Sequence, residues 1–248
     1  MSESYIICEG FHDRAFWTGW LLSLGFTDPG VASTGGRKDV FDPWQVRVAR
    51  GQFGLISPSV IFTRIVPVNG EANIARTARI RLKEHGSKTL ANLILCADAP
   101  DAMSPDSIHK MLREFDTDAC RHNDHHCSLY NNSVQVYTVN WQAPDPPHDH
   151  LPEQQTLERL VCASIVAAYP ERGLPVKAWL DSRPSAPAAE VKSFAWSHMA
   201  GWYSDRGCES FYRAVWEDSK IAEELEKRLR ATGSYDIVAN LQSPIAET

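Results

Sequence analysis

No apolar stretch of this chain approaches the length of a membrane span, and no basic segment followed by an apolar run marks its N-terminus. A soluble, cytoplasmic protein without a membrane partner is expected. Positive charge is also in short supply: 25 Lys and Arg against 31 Asp and Glu leave a formal net charge of −6. Bulk electrostatics therefore offers nothing to nucleic acid, and such a partner would need a local basic patch or bound cations. A disulfide framework is missing too. Of the six cysteines, Cys8, Cys96 and Cys162 lie in apolar runs and read as small buried hydrophobes. Internal repeats and low-complexity tracts are absent. What is present is ordinary globular material, 43% hydrophobic and unusually rich in tryptophan, in a chain of 248 residues that can bury a core without staples.

The hydrophobic pattern alternates in kind. "SYIICEG" (4–10) reads as a strand, and Phe16, Trp20 and Leu24 then recur at helical spacing up to Gly25. "GVAST" (30–34), "VRVAR" (46–50) and "SVIFTRIVPV" (59–68) read as further strands. Ile74, Ala78 and Leu82 share a helix face that ends at Gly86. "LANLILCA" (90–97) is nearly continuously apolar, as a parallel strand covered on both faces would be. Ser104 and Pro105 then open a helix with Ile108, Met111, Leu112 and Phe115 as its stripe. "SVQVYTVNW" (133–141) is another strand. Alternation of this kind predicts an α/β fold, a mostly parallel sheet flanked by helices, over residues 1–142. A Pro-rich linker over 143–153 leads into a helical C-terminal region, 154–233, packed on the sheet through its aromatics. Residues 234–248 are expected as a loosely held tail.

Two of these strands end on acids. Glu9-Gly10 follows "SYIIC", and Asp98 and Asp101 follow "LILCA". In open α/β sheets ligands sit outside the carboxyl ends of the strands. If the two strands are neighbours, three carboxylates converge there. Such a cluster repels itself unless it is protonated or bridged by a cation, and an oxygen-only donor set suits Mg²⁺ or Mn²⁺.

"IICEGFHD" followed downstream by "LILCADAPD" resembles the two signature segments of the TOPRIM domain, a strand ending Glu-Gly and a later strand ending Asp-x-Asp. The domain occurs in topoisomerases, bacterial primases, recombination mediators and OLD-type nucleases. The resemblance covers about the first 140 residues and implies a TOPRIM-like fold with Mg²⁺ or Mn²⁺ as cofactor. It implies a phosphodiester-cleaving enzyme, a nuclease acting on nucleic acid. Glu9 matches the acid–base glutamate and Asp98 the first metal-binding aspartate. The second aspartate of the pattern falls on Pro100, with Asp101 one residue late. The later "QTLERLV" and "VKSFAWSHMAGWY" resemble the helical part of small standalone or OLD-like TOPRIM proteins, which makes Glu158 a further metal-site acid and Lys192 a phosphate contact. The departure at Pro100 and the acidic net charge support an alternative: a catalytically degenerate regulatory or nucleic-acid-binding module, partnered by protein in a defence or repair assembly.

Plainer roles compete with each of these. Glu9 can serve the dipole of the next helix, and Glu158 a solvated helix face. Asp13 and Asp106 read as first-turn helix acids. "TGGRKD" (34–39) is a glycine turn that offers Arg37 and Lys38 to a phosphate but lacks P-loop spacing. "CRHNDHHC" (120–127) contains Cys and His but no distant second pair, so a solvated loop is expected rather than a zinc site. His148 and His150 read as a chance cluster in the linker.

Overall fold

The computed structural model describes residues 2–28, 53–86, 88–146, 154–172, 174–175 and 208–242. The expected strands at 30–34 and 46–50 and the segment 191–203 lie outside them. Its strands are β1 (Glu3–Cys8), β2 (Phe53–Ile56), β3 (Phe62–Pro67), β4 (Leu90–Asp98), β5 (Cys120–Asn123), β6 (His126–Leu129) and β7 (Val134–Trp141). They form one mixed sheet in the order β2-β3-β1-β4-β7-β6-β5, whose four central strands run parallel. The helices are α1 (Phe11–Ser23), α2 (Ala72–His85), α3 (Pro105–Leu112), α4 (Leu157–Ala168), α5 (Cys208–Glu217), α6 (Ser219–Ala231) and α7 (Ser234–Gln242).

Each face of the sheet carries its own core, because side chains alternate along a strand. On one face Tyr5, Ile7, Leu93, Leu95 and Val136 pack under α2 and α3. On the other, Ile6, Cys8, Ile94, Cys96 and Val139 pack under α1 and the helices after residue 154. Every residue of β4 is buried, as its unbroken apolar run requires. Asn92, the polar residue within that run, donates to Ser4 Oγ at 3.0 Å, and Asp98 ends the strand. Burial holds the Cys8 and Cys96 thiols well above their ordinary range, which suits cysteines that act as packing groups.

The second core is aromatic. Trp17 and Trp20 stack with centroids 5.1 Å apart, Trp20 stacks on Trp216 at 5.3 Å, and Phe16 meets Trp141 and Tyr212 edge-on. Gly19 makes this possible. A Cβ there would lie 2.8 Å from the Tyr212 carbonyl oxygen, so only glycine lets α1 and α5 approach so closely. Residues of the Pro-rich break are pinned: Ala143 N donates to Gln155 Oε1, and the Asp145 carboxylate takes Arg228 Nε at 2.8 Å. Fully buried Arg159 also donates to the Asp145 carbonyl oxygen, so α4 and α6 are tied to the end of β7.

Two expectations are corrected. The segment 120–127 is not a solvated loop. It is the β5–β6 hairpin, added antiparallel to β7 at the sheet edge. Its rings are occupied: His122 Nε2 lies 2.8 Å from Ser128 Oγ, His126 Nε2 lies 2.7 Å from Gln135 Oε1, and His126 stacks between His122 and Tyr137. Nor are residues 234–242 a loose tail; the rest of the expected tail, 243–248, lies outside the described residues. Gly233, at φ +76°, ends α6 in the left-handed conformation, but the chain turns back as α7 and buries Ile237, Val238 and Leu241. Truncation after Gly233 should therefore destabilise the protein, and Leu241→Ala alone should cost about 2–5 kcal/mol. Urea unfolding followed by tryptophan fluorescence measures both, and a truncated chain as stable as the full one would refute the packing of α7.

Candidate metal centre

Connectivity places the site before any side chain is considered. β1 leads into α1 on one face of the sheet, while β4 leads toward α3 on the other. The two strands are neighbours in register, with Cys8 opposite Cys96. Their connections part company at their carboxyl ends, and a crevice must open there. That crevice is a cleft of about 300 Å³ lined by Glu9, Gly10, His12, Asp13, Asn69, Gly70, Asp98, Leu157 and Glu158, among others.

The structure brings Glu9, Asp98 and Asp101 together. One carboxylate oxygen from each lies within 4.8 Å of the others. Asp98 is buried, Glu9 half-buried and Asp101 exposed. Asp101 joins despite the unusual spacing because Ala99–Asp101 form a turn of 3₁₀ helix with Asp98 as its N-cap. The turn folds the chain back at the end of β4 and so carries Asp101 to Asp98. Pro100 sits at the start of the turn, where a missing N–H costs nothing.

The backbone around the cluster is held in place. Asn69 and Gly70 have φ of +57° and +109°, a left-handed turn that brings Gly70 N to the Glu9 carbonyl at 3.0 Å. Asp98 Oδ1 accepts from Leu157 N at 2.9 Å, so the N-terminus of α4 points at it. Thr156 caps the same helix through Arg159 N. Gly10 shows no such constraint: its φ is −142°, and a Cβ would meet Asp13 Oδ2 at an ordinary 3.6 Å.

Asp13 differs from the plain first-turn acid expected. It is buried, and its carboxylate accepts from Trp141 Nε1 at 2.7 Å and Gly10 N at 3.0 Å. Desolvation raises its pKa to about 7, with the negative charges of Asp98 and Glu9 adding to the rise and the two hydrogen bonds opposing it. His12, one residue earlier, places Nδ1 3.4 Å from Glu158 Oε1. Glu158 is buried and lines the cleft, but lies outside the converging group of three. His12 and Asp13 gave no signal in the sequence beyond their place in "EGFHD", since their partners lie 146 and 128 residues away. Arg37, Lys38 and Lys192 lie outside the described residues. Asp106 is on α3, paired with Arg121, away from the cleft. Among the described residues the β5–β6 hairpin gathers no three metal-ligating side chains.

No known family model matches the chain, and no curated protein matches it significantly. Among solved structures it is similar to a hypothetical protein from Pyrococcus horikoshii OT3. The TM-score is 0.68 over 98% of this chain and all of that one, at 14% sequence identity. At that identity the likeness is one of fold.

Asp13 makes stability depend on pH. Its folded-state pKa lies above the ordinary value of 3.8, so the folded protein holds a proton that the unfolded chain releases. Stability should fall as pH rises from about 4 to about 7. Asp13→Asn removes the titration, so relative to wild type the variant should gain about 2–3 kcal/mol between pH 5 and pH 8. Urea titrations of both proteins in chelator-containing buffer at the two pH values measure this; parallel curves would show that Asp13 is ionised throughout.

Proposed function

We propose that the protein is a TOPRIM-like, divalent-metal-dependent nuclease that hydrolyses phosphodiesters in nucleic acid. The observation that carries this reading is the convergence of Glu9, Asp98 and Asp101 at the switch point of a parallel sheet. They offer only oxygen donors, which fits a hard cation such as Mg²⁺ or Mn²⁺ and not a soft one. A bound divalent ion would supply charge neutralisation for phosphate oxygens in the transition state. Asp98 is the anchoring ligand, fixed by Leu157 N, and Asp101 completes the pair from the 3₁₀ turn. Glu9, less buried and next to Gly10, moves a proton at the ester oxygen.

A second reading is favoured by a specific feature. No Lys or Arg lines the described part of the cleft, and the chain is acidic overall. A regulatory or nucleic-acid-binding module on the same fold, partnered by protein in a defence or repair assembly, needs no catalytic groups.

Calorimetry with Mn²⁺ and cleavage assays on single- and double-stranded DNA and RNA separate the two. On the enzyme reading, Asp98→Asn abolishes Mn²⁺ binding while its amide oxygen still caps α4. Glu9→Gln keeps much of the binding and lowers cleavage by about 10²–10⁴-fold, the usual cost of losing general acid–base help. Equal activity in wild type and both variants would expose a contaminant. No metal heat and no cleavage of any substrate would overturn the enzyme reading and favour the regulatory module.

A further inference from the structure

Beside the three-carboxylate cluster the cleft holds a second pair of side chains that lies outside that group. His12 sits in the first turn of α1 and Glu158 in the first turn of α4, elements from opposite sides of the Pro-rich break. Both line the cleft with Glu9 and Asp98. His12 Nδ1 approaches Glu158 Oε1 at 3.4 Å, with the glutamate side chain only 9% exposed and the histidine ring 36% exposed. With Glu158 ionised, its carboxylate only accepts hydrogen bonds, and the contact then places the proton on Nδ1. In the neutral ring the lone pair then belongs to Nε2. A contact of 3.4 Å is at the outer edge of hydrogen-bond reach, as catalytic contacts in ligand-free proteins often are. The ring of Tyr212, 6.5 Å away centroid to centroid, backs His12 from α5.

Resting on the nuclease reading, we propose that His12, oriented by Glu158, is the proton acceptor for the attacking water. The water oxygen forms the new bond to phosphorus and its proton passes to His12 Nε2. The bond from phosphorus to the leaving ester oxygen breaks, and that oxygen keeps the electron pair and takes a proton from Glu9. His12 is thereby a catalytic residue and Glu158 a positioning residue. Two groups divide the proton transfers, one at each end of the in-line displacement.

The test uses the full chain with Mn²⁺. His12→Gln should lower kcat by about 10²–10⁴-fold. Mn²⁺ affinity measured by calorimetry should stay within a few-fold of wild type. Imidazole added to His12→Ala should restore part of the lost rate, which a merely structural histidine would not permit. Glu158→Gln should lower kcat with KM little changed. A readout independent of activity is the ¹⁵N spectrum of His12, assigned by its loss in His12→Gln: wild type should show the Nδ1-protonated tautomer, and Glu158→Gln should shift it toward Nε2. An Nε2-protonated ring in the wild type, or full activity in His12→Gln, would overturn the role and leave the nuclease reading standing. A wild type that cleaves nothing would overturn the nuclease reading, and this role with it.

Discussion

Two adjacent parallel strands end on carboxylates, and the mutual repulsion of those carboxylates is the constraint to which the surrounding structure responds. Glu9, Asp98 and Asp101 bring oxygens within 4.8 Å of one another, and Asp13 lies behind them. At such separations unscreened like charges cost several kcal/mol. Part of that cost is offset by the backbone. The N-terminus of α4 donates Leu157 N to Asp98, and the first turn of α1 opens at Gly10 beside Glu9. A further part is offset by protonation, since desolvation raises Asp13 to about 7 and keeps it neutral in acid. The remainder is what a divalent cation would relieve, so affinity for metal and strain in the free protein are two descriptions of one electrostatic balance.

The aromatic core supplies the rigidity this balance requires. Trp141 ends the strand beside β4, and its indole N–H fixes Asp13; Phe16 and Trp17 hold Trp141; Trp20 carries the stack on to Trp216. A carboxylate held by a buried indole cannot swing away from its neighbours, so the position of Asp13 is set by packing rather than by charge. The helices after the Pro-rich break belong to the same arrangement. They give the cleft Leu157 N and Glu158, and they fill the face of the sheet under α1. The site therefore needs both halves of the chain.

Much of this was legible in the sequence because it follows from short-range rules. The apolar runs into Glu9 and Asp98, the spacing of Ile74, Ala78 and Leu82, and the Ser104-Pro105 helix start each have a local physical cause. What escaped has a non-local one. Asp13 occupies a position where acids commonly serve a helix dipole, and only Trp141, 128 residues on, buries it. The polar segment 120–127 has no strand character of its own and becomes a hairpin by pairing with β7. Gly233 correctly marks the end of a helix, but a C-terminal glycine says nothing about whether the chain then leaves the core. Asp101 seemed one residue late against an Asp-x-Asp pattern. The 3₁₀ turn after β4 folds the chain back, so a spacing of three still brings Asp101 to Asp98.

The charge of the cleft also constrains the order of events in the proposed reaction. Glu9, Asp98 and Glu158 line it, Asp101 stands at its edge, and among the described lining residues only His12 can carry positive charge. A phosphodiester entering such a cleft unaccompanied meets like charge on nearly every side. Long-range steering by the protein cannot help, since the net charge of −6 has the wrong sign. On the proposed reading the cation would therefore arrive before the phosphate or with it, which would make substrate affinity depend on metal affinity. Glu158 sharpens the point. A buried glutamate beside a cation site is drawn to the cation, yet here it faces a histidine 3.4 Å away. In the proposed reaction, a Glu158 turned to His12 would leave a cation few protein oxygens, so its open positions would fall to the phosphate and couple the two binding events.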